Sequence, residues 1–318
     1  MLEVKHEQVL EAAARIEGHV IKTPLIETRI LSRKIWLKCE NLQTGGAFKL
    51  RGATNRLLQL DQADRAPGVV AFSSGNHAQG VAIAARRLGI PAVIVMPADA
   101  PTLKIEGTRA HGAEIIFYDR ITESREEISA RISAETGAIV VPSFDDPAIV
   151  AGQGTAGLEI LAQLQEAGAH PPPAIAIPVG GGGFAAGIAL ACPQSAIVGV
   201  EPFGWDDMAK SLAVGSIVPV GPNPPQTLCD ALQTPRVSPI TFGILRGRAA
   251  QVTFVDDGEV VAAIRWAFEN HGLVVEPGGA VALAAMLAGK ADLPDGSVII
   301  LSGGNIDPDL HQRMVERI

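Results

Sequence analysis

The chain has 318 residues, 47% of them hydrophobic and 19% charged, with a mean hydropathy of +0.24. That length exceeds what one compact core ordinarily holds, and that composition excludes a disordered chain, so two lobes are expected. With 26 basic against 34 acidic residues the formal charge is −8, and no basic stretch offers a footing for a phosphate backbone; nucleic acid is not expected as a partner.

Taken along the chain, residues 1–20 read as a charged helix without the apolar core of a signal peptide. Short apolar runs predict strands over 68–72, 91–96, 113–118, 138–141, 173–179, 196–200 and 296–301. Amphipathic stretches between them predict helices near 76–88, 101–111, 123–136 and 152–167. Buried strands alternating with helices imply an α/β fold built on parallel sheets. An uncharged stretch over 171–200 is broken by Pro178, by glycines at 180–183 and by Pro193, so it predicts no membrane-spanning helix. Cys39, Cys192 and Cys229 lie far apart without metal-type spacing, which reads as reduced, buried thiols in a cytoplasmic protein.

Ligands of open α/β sheets sit beyond the carboxyl ends of strands, and four such places stand out. Gly180, Gly181, Gly182 and Gly183, followed by Phe184, fall between a strand and a helix, where convergent N–H groups suit a phosphate. Ser73-Ser74-Gly75-Asn76-His77 opens a helix directly after a strand and suits a carboxylate and a ring hydroxyl, although Ser and Asn also serve as ordinary helix caps. Ser302, at the end of the last strand, suits a heteroaromatic nitrogen. Lys49, between Phe48 and Leu50 in a Gly-flanked segment, is either a surface lysine or a desolvated amine nucleophile. A phosphate cup, an amine and polar groups for a ring oxygen and nitrogen together are what pyridoxal 5′-phosphate requires.

On these motifs the chain resembles the threonine/serine dehydratase and serine racemase family of fold-type II pyridoxal-phosphate enzymes. The resemblance rests on Thr23-Pro24-Leu25, Glu40-Asn41-Leu42-Gln43, the segment 48–53, Ser73 to Gly80, 151–155, Pro178 to Phe184 and 302–307. It implies two open, twisted, mostly parallel-sheet domains of the tryptophan-synthase β-like fold. Residues 1–67 with 147–318 would form the large cofactor-binding domain and 68–146 a smaller, mobile substrate-binding one. It implies that Lys49 bonds the cofactor aldehyde, Phe48 packs on its ring and Asn76 meets its 3′ oxygen. The glycines and the amide of Phe184 would hold the phosphate, and Ser302 would face the ring nitrogen. Ser73, Asn76 and His77 would receive the substrate carboxylate. Glu201, the Trp205 carbonyl and Asp207 match the family's divalent-cation loop, whose oxygen ligands suit Mg²⁺ or Ca²⁺; the bland alternative is a solvated acidic turn. A homodimer is likewise implied, and no appended regulatory domain is expected after the final motif.

The reaction expected is loss of water and then ammonia from L-threonine or L-serine. Serine or aspartate-type racemisation, and hydroxyaspartate as substrate, stand as alternatives. Ser74 is a candidate second acid/base opposite Lys49, as in racemases. Arg125 matches a racemase arginine that reaches the substrate carboxylate, or pairs with Glu123 or Glu126 on its helix. Phe144-Asp145-Asp146-Pro147 has the dehydratase pattern. A non-catalytic sensor on the same fold is the remaining possibility, opposed by the intact lysine and glycine loop.

Overall fold

The computed structural model describes residues 4–73 and 75–316. Its strands in chain order are β1 (Leu25–Ile30), β2 (Arg33–Cys39), β3 (Val69–Phe72), β4 (Ala92–Pro97), β5 (Glu114–Tyr118), β6 (Ile139–Val140), β7 (Ala174–Pro178), β8 (Ala196–Pro202), β9 (Gln251–Val255) and β10 (Ser297–Leu301). They form a six-stranded sheet ordered β1-β2-β10-β7-β8-β9 and a four-stranded sheet ordered β5-β4-β3-β6. Neighbours are parallel throughout except at the β1–β2 hairpin.

Both sheets are covered on two faces, which is why their central strands are unbroken apolar runs. Every residue of β7 and β10 is buried. The helix Pro277–Leu287 lies against β7 and β10 and is buried from Pro277 to Met286, its Gly and Ala residues allowing close approach. Each buried Val, Ile or Leu contributes about 1.5–3 kcal/mol relative to exposure.

Three strands escape the sequence reading. β1 and β2 are joined by Leu31 and Ser32, both at positive φ (49° and 68°). A two-residue hairpin needs that geometry, but its usual sequence signal is Asn-Gly or Asp-Gly. β2 also carries the buried Lys38, and β9 is a half-exposed edge strand.

Lys38 belongs to a buried ion cluster. Its amine donates to Glu159 at 2.6 Å, while the Arg51 guanidinium donates twice to Glu40 (2.7 and 2.8 Å) and twice to Glu159 (2.7 and 2.8 Å). Lys38, Glu40 and Arg51 are all wholly buried. Burial lowers the Lys38 pKa; it pushes the Glu40 carboxyl up, but the Arg51 guanidinium outweighs this and holds Glu40 below the usual range. Arg51 sits in the first turn of the helix Lys49–Leu58, so the cluster anchors the helix that starts at Lys49.

Candidate active site

A cavity of about 750 Å³ opens between the two sheets, at the carboxyl ends of β3 and β7 and beside Ser302 after β10. Lys49 enters it from one wall. The Lys49 amine donates to the Ser143 carbonyl at 3.1 Å and lies 5.1 Å from the centre of the Phe48 ring. No carboxylate among the described residues pairs with it, and burial lowers its pKa to about 8. A short bridge between Ala47 and Gly303, with the Phe48 N–H donating to the Ser302 carbonyl at 3.2 Å, places Ser302 beside this segment.

The glycine loop lines the same cavity. Gly182 has φ +84° and forms the N-cap of the helix Gly183–Ala191, a conformation that disfavours any residue with a Cβ. The Thr241 hydroxyl donates to the Gly181 carbonyl at 2.8 Å and fixes that peptide plane. A Cβ on Gly181 would overlap the Phe144 ring, so the loop is shaped by the side chain against it as well as by its own freedom. Unpaired N–H groups at the start of a helix form an anion site, and the cup fits a phosphate.

The third wall is the loop after β3. The Ser73 hydroxyl accepts from the Gly75 N–H at 3.2 Å, and the helix Asn76–Leu88 begins there without a side-chain cap. Asn76 and His77 are buried at the cavity wall. The His77 ring nitrogen Nε2 meets the Val141 carbonyl at 2.9 Å. A carbonyl only accepts, so Nε2 carries the proton and Nδ1, buried and unpartnered among the described residues, does not. Burial and the nearby Lys49 push its pKa down to about 3. The imidazole therefore offers a carboxylate no N–H.

The cavity thus gathers Phe48, Lys49, Ser73, Asn76, His77 and Arg125 with Gly180 to Phe184 and Ser302. Arg125 combines two expectations: it lines the cavity, 5.4 Å from the Phe72 ring, and pairs with Glu126 at 3.0 Å. Ser74, the candidate second base, lies outside the described residues. Sequence reading misses Lys104, which pairs with Asp230 across the cleft, and Glu276, buried and hydrogen-bonded to Asn76. Neither directly follows a strand, and strand ends are where sequence directs the search. A charged residue beside glycines, Glu276-Pro277-Gly278-Gly279, is the one clue the sequence holds.

Glu201 and Asp207 lie apart from the cavity. Both are buried; Glu201 accepts from the Met208 and Ala209 N–H groups at 2.9 Å each, and Asp207 Oδ2 has no partner among the described residues. Burial raises the Glu201 pKa well above its usual range and that of Asp207 to about 7. Among the described residues no three His, Cys, Asp or Glu side chains converge as a metal cluster. Nor is any described helix long and apolar enough to cross a membrane.

A model of the family described as pyridoxal-phosphate dependent enzyme matches residues 16–303. An L-threo-3-hydroxyaspartate ammonia-lyase of Pseudomonas sp is 42% identical, over 98% of this chain and 98% of that protein. The solved structure of maize serine racemase superposes with a TM-score of 0.90 at 38% identity, covering 98% of this chain and 97% of its own. The solved threonine deaminase of T.th. superposes with a TM-score of 0.88 at 42% identity, covering 95% of this chain and 98% of its own.

Proposed function

The chain belongs to the pyridoxal-phosphate dependent enzyme family, and from that premise we propose that it is an ammonia-lyase acting on L-threonine or L-serine to release a 2-oxo acid. The observation that carries the reading is the Lys49 amine, unpaired by any described carboxylate and lining one cavity with the glycine cup. The cofactor, when bound, supplies an electron sink for the charge left at the substrate α-carbon.

The chain's own residues do the rest. A desolvated Lys49 with a pKa near 8 holds an appreciable neutral fraction at physiological pH and accepts the α-proton. Ser73 and the first-turn N–H groups from Asn76 onward orient the substrate carboxylate. Gly180 to Gly183 and the Phe184 amide would hold the phosphate, Asn76 would meet the 3′ oxygen, and Phe48 would pack on the ring. Ser302 would face the ring nitrogen with a neutral hydroxyl, which supplies no negative charge to hold a proton there. Ser74 would supply or take a proton on the other face. The unit 68–146 would close over the substrate, and the Lys104–Asp230 pair already spans the cleft there. Mg²⁺ or Ca²⁺ would bind at Glu201, Asp207 and the Trp205 carbonyl, supported by the unpartnered Asp207 oxygen.

A second substrate, 3-hydroxyaspartate, is favoured by a specific observation. Arg236 lines the cavity and its guanidinium has no hydrogen-bond or ion-pair partner among the described residues, so a β-carboxylate would find a free cation there. The Pseudomonas relative bears that substrate's name. The deciding experiment supplies L-serine, L-threonine and L-threo-3-hydroxyaspartate and measures 2-oxo acid release together with the chirality of residual serine. Oxo acid from serine or threonine supports the main reading, and preference for hydroxyaspartate that disappears in Arg236→Ala supports the second. D-Serine as the principal product would replace both with racemisation.

A further inference from the structure

Glu276 occupies an N-cap, where an acidic side chain ordinarily turns back onto the first-turn N–H groups of its own helix. It does not do so: the helix Pro277–Leu287 has no side-chain cap. The carboxylate instead reaches into the wall of the active cavity, 2% exposed, with Oε1 accepting from Asn76 Nδ2 and Oε2 without a partner among the described residues. A Cβ on Gly303 would overlap Oε1, so the glycine beside Ser302 makes the seat for this group.

The Asn76 amide is held from both edges. Its Oδ1 accepts from Asn305 Nδ2 at 2.8 Å, and Asn305 is itself oriented by donating to the Gly45 carbonyl at 2.8 Å. Its Nδ2 faces a carboxylate, which when ionised only accepts. One N–H of the Asn76 amide remains uncommitted at the cavity wall.

We infer that Glu276 is a positioning residue for the cofactor's 3′ oxygen: by accepting from Asn76 it fixes which edge of that amide meets the ring, presenting an N–H and never the carbonyl. The inference rests on Asn76 being the 3′-oxygen partner, as proposed above. Burial raises the Glu276 pKa to about 7, with Lys104 opposing the rise and Asp230 adding to it; the Cys229 thiol is the other titratable group that senses this charge. When Glu276 is protonated it can donate as well as accept, so it no longer dictates which edge of the Asn76 amide it meets.

The test is the absorbance of the cofactor-loaded protein across pH, in wild type, Glu276→Gln, Glu276→Asp and Asn76→Ala. A glutamine keeps the shape but offers both a donor and an acceptor, so it no longer specifies the amide edge. The expected result is that the long-wavelength band, which an N–H on the 3′ oxygen favours, grows as pH rises through neutrality in wild type. Glu276→Gln should abolish that dependence, and Glu276→Asp should restore part of it. Glu276→Gln should also weaken cofactor binding by about 10- to 150-fold, the range of a hydrogen bond to a charged group. In the Asn76→Ala background the same change should have no further effect on the band, because Glu276 acts through Asn76. Wild-type pH dependence persisting in Glu276→Gln, or full additivity with Asn76→Ala, overturns the inference. An Asn76→Ala spectrum identical to wild type removes the Asn76 reading itself and is distinguishable from both.

Discussion

The rings of Phe48 and Phe184 stack with centroids 4.0 Å apart and planes 8° from parallel. One ring precedes Lys49 and the other follows the glycine cup, so the stack joins the amine and anion ends of the cavity. Movement of either segment disturbs both.

Phe184→Ala should therefore loosen the cofactor site from behind. The expected loss is about 2- to 10-fold in cofactor affinity, the worth of one aromatic pair. Equilibrium titration of the apoprotein with pyridoxal phosphate checks it, and unchanged affinity would show that Phe48 is held independently.

Lys49 gives a prediction with a defined pH window. Only the neutral amine attacks an aldehyde, and burial has brought its pKa down from 10.5 to about 8. Cofactor capture by the apoprotein should accelerate about tenfold per pH unit below that value and level off above it. Stopped-flow absorbance measures this, and a rate still rising steeply at about pH 10, the range of a solvated lysine, would place the amine in water. Lys49→Ala should reduce turnover by at least about 10²–10⁴-fold, the usual weight of a positioned acid/base group.

Glu276 has a stability signature apart from its positioning role. Its folded pKa is raised from 4.5 to about 7, so the folded state holds its proton more tightly than the unfolded one. The resulting stabilisation is complete below pH 4.5 and is lost as pH rises through about 7. Above that, the apoprotein carries an unfavourable buried charge, with a ceiling of about 3 kcal/mol. Glu276→Gln should consequently unfold at a higher temperature than wild type at about pH 8, with the gap narrowing toward about pH 5. Calorimetry at the two pH values tests the sign.

At the second acidic site, Glu201 and Asp207 are buried, and no described lysine or arginine is bonded to either. Saturating Mg²⁺ or Ca²⁺ should raise the unfolding temperature at about pH 8, by the equivalent of about 2.7 kcal/mol at a hundredfold excess over Kd. Asp207→Asn should remove the response. Equal response in the variant would assign the effect to another place on the protein.

The sequence carries the site better than the fold's edges. Gly180 to Phe184 and Asn76, which line one cavity, stand where ligand loops follow parallel strands, whereas Lys49 is marked by its apolar, Gly-flanked setting alone. The helix expected over 76–88 is found as Asn76–Leu88. The β1–β2 hairpin is illegible because Leu31 and Ser32 adopt positive φ without the usual Asn or Gly, a strain that the parallel pairing of β2 with β10 must offset. Glu276 is hidden for a different reason: its meaning depends on Asn76, 200 residues earlier in the chain, and no local pattern records such a contact.

The ion cluster around Arg51 has a consequence for transplanting this chemistry. A segment carrying Lys49 also carries a guanidinium that needs two carboxylates at depth, Glu40 and Glu159, with Lys38 to balance the second. An unaccompanied buried charge destabilises a host by several kcal/mol. The reactive lysine is therefore portable only together with Lys38, Glu40, Arg51 and Glu159, side chains drawn from well-separated stretches of the sequence. Redesigns that move this segment with Arg51 but without those partners should yield unfolded protein before they yield a weak enzyme.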